Sequence, residues 1–124
     1  MELNIPEVVA EVKSAFLRYQ HAVDTKDVAV MNELFWTSPF TVRFGPNGTL
    51  IGHDAISAFR RARNTNGIKR VLRNTVITTF GTDFAVANTE SDRQGVTNRQ
   101  SQTWVRMSDG WRIVGAHVSD EPPQ

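Results

Sequence analysis

Cysteine is absent from this 124-residue chain, which removes disulfide frameworks, thiolate metal sites and redox thiols from consideration. Tyrosine occurs once, at Tyr19, and tryptophan three times. No apolar stretch approaches the ~20 residues of a membrane-spanning helix. Met1 to Pro6 lacks the basic region and apolar run of a signal peptide. These absences point to a soluble, cytoplasmic protein. No phosphate loop, dinucleotide fingerprint or nucleophile elbow is present, and the three histidines lack paired-carboxylate spacing. Neither a cofactor nor a metal is therefore expected.

What is present reads as one globular domain spanning 1–124, with 40% hydrophobic and 22% charged residues. Net charge is +1, but unevenly spread: residues 1–59 hold four Lys/Arg against seven Asp/Glu, and residues 60–124 hold ten against six. Arg60, Arg61, Arg63, Lys69, Arg70 and Arg73 lie close together with no acid among them. One reading is a nucleic-acid patch; the other is a helix end with arginines serving an anionic pocket. The near-zero total charge and the lack of interleaved aromatics argue against nucleic acid.

Pro6 to Val23 carries an apolar stripe at three- and four-residue steps (Val8, Val12, Phe16, Tyr19, Val23) and predicts a helix. A short helix follows from about Val28 to Phe35, and a third opens at Gly52, with Asp54 as its cap and Asn64 to Gly67 as its stop. Phe40 to Phe44 alternates as a strand, and Thr49 to Ile51 returns after Gly45-Pro46-Asn47-Gly48. Lys69–Phe80, Phe84–Glu90, Asn98–Met107 and Trp111–Ser119 read as longer strands, with Ser91–Thr97 as a polar loop and Glu121 to Gln124 as a frayed tail. Segregated helices and antiparallel strands mean α+β: a curved, mostly antiparallel sheet with three helices from the N-terminal half closing a cone-shaped pocket. Large residues on the convex side of the sheet call for a partner, with a homodimer as the default.

Several stretches resemble the nuclear transport factor two-like (SnoaL-like) superfamily, and within it the AtzH-like group. They are Leu34-Phe35-Trp36, Thr41-Val42-Arg43-Phe44-Gly45, Gly52-His53-Asp54-Ala55-Ile56 with Phe59-Arg60, Arg99-Gln100-Ser101-Gln102-Thr103-Trp104, and Gly110-Trp111-Arg112-Ile113-Val114 with Ala116-His117-Val118-Ser119. The resemblance implies a cystatin-like fold, a homodimer, and a pocket for a small anionic metabolite such as an oxalurate- or ureide-like amide acid. It implies a tyrosine–arginine pair as the reactive feature, mapped onto Tyr19 and Arg43. Isomerisation, decarboxylation and hydrolysis stay open, as does a non-catalytic accessory or ligand-binding subunit for an amidohydrolase pathway. Steroid-isomerase relatives place a carboxylate near the first strand; here Trp36-Thr37-Ser38-Pro39-Phe40 has none.

Read on their own chemistry, the candidates each carry two meanings. Tyr19 is either a core phenol or, beside a cation, a usable acid or base. Arg43 either faces an outer wall or meets an anion in a cavity, where its fork suits a carboxylate; Arg60 and Arg99 are further candidates for that carboxylate. Arg99, Ser101 and Thr103 share one strand face, and Gln100, Gln102 and Trp104 the other. Arg99 with Ser101 would clamp a carboxylate, whereas Gln100 with Gln102 would read an amide. His117, placed with Trp111, Ile113 and Gly115, is a general base or a structural histidine. Phe16, Trp36 and Phe59 are assigned to the apolar wall around the ligand; if they filled the hollow, the accessory reading would gain.

Overall fold

Three helices lie over one six-stranded sheet in the computed structural model, which describes residues 1–63 and 69–122. Helix α1 spans Pro6–Thr25; Val8, Val12, Phe16 and Tyr19 of its stripe are buried as the spacing predicts, together with Ala22, while Val23 is half-buried. It runs two residues past the expected end, because Lys26 turns left-handed (φ 56°) and its N–H reaches back to the Ala22 and Val23 carbonyls. Helix α2, Val28–Leu34, starts where the Asp27 carboxylate accepts from the Val30 N–H at 3.2 Å. Helix α3 spans His53–Ala62, with Asp54 in its first turn; the cap position belongs to Gly52 (φ 93°) and not to Asp54.

The strands are β1 (Val42–Gly45), β2 (Gly48–Ile51), β3 (Val71–Phe80), β4 (Phe84–Arg93), β5 (Val96–Met107) and β6 (Gly110–Glu121), in the order β2-β1-β6-β5-β4-β3. All neighbours are antiparallel except β1 and β6, which run parallel and make the sheet mixed. Phe40 lies outside β1 and is exposed. The polar run 91–97 is not a loop. Strands β4 and β5 continue through it and turn over at Gln94-Gly95, both with positive φ (52° and 84°), as a two-residue hairpin twist requires. Its polarity reflects cross-strand pairing: Arg73 meets Asp92, and Thr97 donates to Asp92. Glu121, expected in a frayed tail, ends β6 opposite Thr97. The expected helix stop at 64–67 and the last two residues lie outside the described residues.

Two bulges bend the sheet. One interrupts β3 between Arg73 and Val76, where Asn74 is left-handed (φ 52°). The other sits where β5 crosses β6: Thr103 pairs with Gly115 but Trp104 with Ile113, leaving Val114 as the extra residue. Helices α1 and α2 pack Val12, Phe16, Leu34 and Phe35 with Ala85, Ala87, Trp104, Trp111 and Ile113 of the sheet into one core. Among the described residues no helix is long and apolar enough to cross a membrane.

Exposed ion pairs stitch the elements together. Arg18 of α1 donates both guanidinium nitrogens to Glu33 of α2, Arg106 of β5 meets Glu11 of α1, and Arg99 of β5 bridges Glu90 and Glu121. Trp111 and Arg106 hold the Glu11 carboxyl below its ordinary range, Arg18 does the same for Glu33, and Asn74 and Arg99 for Glu90. A carboxyl depressed in the folded state contributes stability above its unfolded value and loses it as pH falls. Thermal melts should therefore be flat above about pH 5 and decline progressively as the solution is acidified through the carboxylate range. The decline should shrink at ~1 M salt, since these pairs are solvent-exposed and screened.

Candidate functional site

The register of the sheet decides which side chains meet the helices. Arg43 of β1 pairs with Ala116 of β6, Ala116 with Gln102 of β5, and Gln102 with Ala87 of β4, so these four form one row on the concave face. The next row holds Val118 and Gln100, and the next Asp120 and Asn98. Above them α1 brings Tyr19 and α3 brings Phe59, Arg60 and, at its end, Arg63. Between the two layers lies a cavity of about 390 Å³, lined by these residues other than Ala87 and by Val23, Lys26, Met31 and Phe35. It stays open because Ala116, beside Arg43 and Gln102, offers only a methyl group. Farther along β5 and β6, Trp104 and Ile113 fill the equivalent space.

Arg60 projects from the same face of α3 as Ile56, one turn earlier, and is 6% exposed. Its Nη2 donates to the Tyr19 hydroxyl at 2.9 Å, and its guanidinium carbon lies 4.2 Å from the Phe35 ring centre. Its Nη1 is buried and meets no hydrogen-bond partner among the described residues. Since Tyr19 Oη accepts from a donor-only group, the phenol proton is free to point elsewhere.

Arg43 is 9% exposed and makes no ion pair or side-chain hydrogen bond with the described residues. Burial pulls its guanidinium below the usual arginine range; Tyr19 and Asp120 work against this, while Arg60 and Arg63 add to it. The group lies 5.3 Å from the Phe59 ring centre and folds back over Gly45, where an added Cβ would sit 2.7 Å from Nη1. Gly45 has ordinary backbone angles, so what it provides is room for Arg43.

Arg70 shows what a satisfied buried arginine looks like. It is 8% exposed, but Nε donates to Asp24 at 2.7 Å and Nη2 to Gln20 Oε1 at 2.7 Å. Arg70 therefore ties β3's approach to α1, although it also touches the cavity. From the basic run 60–73, Arg60, Arg63 and Arg70 reach the cavity, Arg61 donates to Ser57, and Arg73 is paired with Asp92.

Of the residues singled out from sequence, Tyr19, Arg43, Arg60, Gln100, Gln102 and Phe59 line the cavity. Five do not. Arg99 and Ser101 lie on the convex face, Arg99 neutralised by Glu90 and Glu121 and Ser101 bonded to Asn88 at 2.6 Å. Phe16 is sealed in the core beneath α1. Trp36 follows α2 and fastens its loop, its backbone N–H donating to the Ile113 carbonyl at 2.9 Å. His117 is exposed on the convex face, edge-on to Phe44. The Val114 bulge accounts for it: alternation carries Trp111 and Ile113 inward, and the extra residue then hands the inside to Ala116, Val118 and Asp120. Lys26 and Asp120 were missed, and Arg63 was named only as part of the basic run. Asp120 would follow from the bulge; Lys26 and Arg63 terminate helices, and no spacing rule announces where such side chains turn.

The two classes of buried arginine should respond oppositely to neutralisation. Arg43→Met removes an unmatched charge and should raise the melting temperature of the ligand-free protein by a few degrees, on the order of 1 kcal/mol. Arg70→Met strands Asp24 and Gln20 and should cost about 2–4 kcal/mol, measured by thermal and urea denaturation.

The profile of the AtzH-like family matches residues 1–122. A protein of unknown function from the DUF3225 family of Pectobacterium atrosepticum SCRI1043 is 53% identical, covers 96% of this chain and 94% of that one, and superposes with a TM-score of 0.92. A cystatin-like fold protein from Burkholderia xenovorans LB400 is 44% identical over 100% of this chain and 99% of that one, with a TM-score of 0.94. A nuclear transport factor 2 (NTF2-like) superfamily protein from Salmonella enterica serovar Typhimurium LT2 is 29% identical, covering 95% and 92% of the two chains, with a TM-score of 0.68. No curated protein matches this sequence. With its helices over a curved mixed sheet and its profile match along nearly the whole length, the chain belongs to the AtzH-like family of the nuclear transport factor two-like superfamily.

Proposed function

We propose that the cavity binds a small carboxylate of the amide-acid type, oxalurate- and ureide-like compounds included, and that Tyr19 delivers a proton to it. The observation that carries this reading is a pair of buried guanidinium groups, Arg43 and Arg60, with no carboxylate partner among the described residues, one of them with a wholly unpartnered nitrogen. A ligand carboxylate would supply the missing counter-charge, and a guanidinium fork matches its two oxygens. The Tyr19 proton, left free by the bond from Arg60, suits transfer to a carbonyl oxygen or amide nitrogen of the bound acid, with Arg60 holding the phenolate that remains.

A second reading, a ligand-binding accessory subunit, draws on one observation: among the described lining residues Asp120 is the sole carboxylate and no histidine is present, so no evident base stands ready to activate water. A thermal-shift panel of small carboxylates and ureides, followed by product analysis, separates the two. Carboxylates should raise the melting temperature of the wild type and not of Arg60→Gln. Tyr19→Phe should bind within about threefold of wild type and, if the protein is an enzyme, lose about 10²–10⁴-fold in turnover. Stabilisation without turnover of any binder would favour the accessory role; absence of any carboxylate response would sink both.

The same proposal includes a homodimer through the convex face of the sheet. Phe44, His117, Ser101, Asn88 and Val76 form one row across that face, and Phe44, Ile51, Val76 and Phe84 are all exposed there. An exposed apolar surface of this kind supports burial against a second copy. Sedimentation should give a dimer for the wild type and a monomer for a Phe44→Lys, Phe84→Lys double variant whose circular dichroism is unchanged.

A further inference from the structure

Below the arginines, the concave face carries a chain of side-chain amides whose hydrogen bonds all run one way. The Trp104 indole N–H donates to Gln102 Oε1 at 3.0 Å, and Gln102 Nε2 donates to Gln100 Oε1 at 3.3 Å. From the other side Arg70 Nη2 donates to Gln20 Oε1 at 2.7 Å, and Gln20 Nε2 to the same Gln100 Oε1 at 3.2 Å. Gln100 Nε2 then donates to Asn98 Oδ1 at 3.0 Å, and Asn98 Nδ2 to Asp120 Oδ1 at 2.8 Å.

The termini of this chain fix its polarity. An indole and a guanidinium can only donate, and a carboxylate can only accept. Turning Gln102 over would set its NH₂ against the Trp104 N–H, turning Gln20 would set NH₂ against Arg70, and turning Asn98 would set its oxygen against Asp120. Gln100 must then keep its oxygen toward two incoming N–H groups, which fills both lone pairs. None of the buried amides, Gln20, Gln100 and Gln102, can flip without setting donor against donor, which leaves buried groups unsatisfied.

We infer that this polarised amide chain is the specificity device of the cavity: Gln100, its oxygen filled, offers the ligand only N–H, and Gln102, its oxygen held toward the Trp104 indole, presents its NH₂ end, so the end of the ligand that lies against them is a carbonyl or carboxylate oxygen. Each of the two amides has one proton left over after the bonds named above, and every amide oxygen in the chain already accepts. Together with Arg43, Arg60 and the Tyr19 hydroxyl, the inner wall is made of donors. Trp104 and Arg70 are positioning residues here, acting through Gln102 and Gln20. This reverses the expectation that the two glutamines would read an amide through a donor and an acceptor together.

The inference rests on the anion-site reading above, and one matched pair of probes tests them apart. Levulinate and succinamate are monoanions of the same shape, each with a carbonyl opposite its carboxylate; one ends in CH₃ where the other ends in NH₂. The NH₂ has no acceptor at the inner wall, so calorimetric titration should show wild type binding levulinate about tenfold more tightly. Gln102→Glu places an acceptor there and should shrink or invert the ratio. Trp104→Phe releases Gln102 to turn and should shrink it. A merely structural role for either residue would lower stability and leave the ratio alone. Should Gln102→Glu fail to fold, Gln102→Met should weaken levulinate binding and erase the preference. Equal binding of the two probes to wild type, or a ratio unmoved by these variants, overturns the amide inference while the anion site stands. Failure of wild type to bind either probe overturns the anion site and this inference with it.

Discussion

Removing a cation from water costs several kcal/mol unless an opposite charge or a full set of acceptors replaces the lost hydration. Arg43 and Arg60 are both more than nine-tenths buried, and among the described residues they have between them one side-chain hydrogen bond, to a phenol. What the protein does supply is aromatic surface: Phe35 beneath Arg60, and Phe59 beside Arg43. Cation–π contact recovers about 0.5–2 kcal/mol, less than the hydration given up. The ligand-free fold thus carries an unfavourable electrostatic term that an anion would relieve. A site of this kind trades stability for affinity, which is the usual direction of the compromise at functional positions.

That charge is tolerable because the rest of the concave face is packed. Trp104, Ile113, Phe16 and Leu34 make a dry core next to the hollow. The sheet therefore works in two halves. Along the inner half, large side chains interlock with α1 and α2. Along the outer half, the side chains shrink to Ala116 or turn polar, and α3 brings Arg60 over the gap. Arg70 marks the seam, with its charge matched by Asp24 and its remaining bonds spent on α1 and the amide chain.

Much of the fold was readable from the residues. The α1 stripe, the three helices and the strand sequence follow from spacing and turn residues, because burial of an amphipathic face leaves a periodic trace. The misread stretch 91–97 failed for a definite reason: its polar residues are satisfied by partners on neighbouring strands, and such pairing leaves no local pattern. Tyr19 and Arg43 were accessible as candidates because a lone tyrosine on an apolar stripe and an arginine between strand hydrophobes are each anomalous. Arg60 was visible only as one of several arginines at a helix end; that it is buried, while Arg61 is not, depends on its being a turn away from Ile56. Arg99 misled because a basic residue beside serine and glutamine looks like a clamp until Glu90 and Glu121, distant in sequence, close on it. Which face of β5 looks inward could not be read at all without the register.

Just past Val114, a small change in chain length has a large chemical effect. Alternation along β6 assigns Ala116, Val118 and Asp120 to one side and His117 and Ser119 to the other, and the single unpaired residue at the bulge decides which set is interior. Substitutions alter such a wall one side chain at a time. Deleting Val114 itself would only straighten the strand, but a one-residue insertion or deletion just past the bulge would exchange the whole set, trading a methyl, an isopropyl and a carboxylate for an imidazole and a hydroxyl while leaving the strand between the same neighbours. Indels at strand irregularities are therefore a route by which one scaffold can acquire unrelated chemistries in a single evolutionary step.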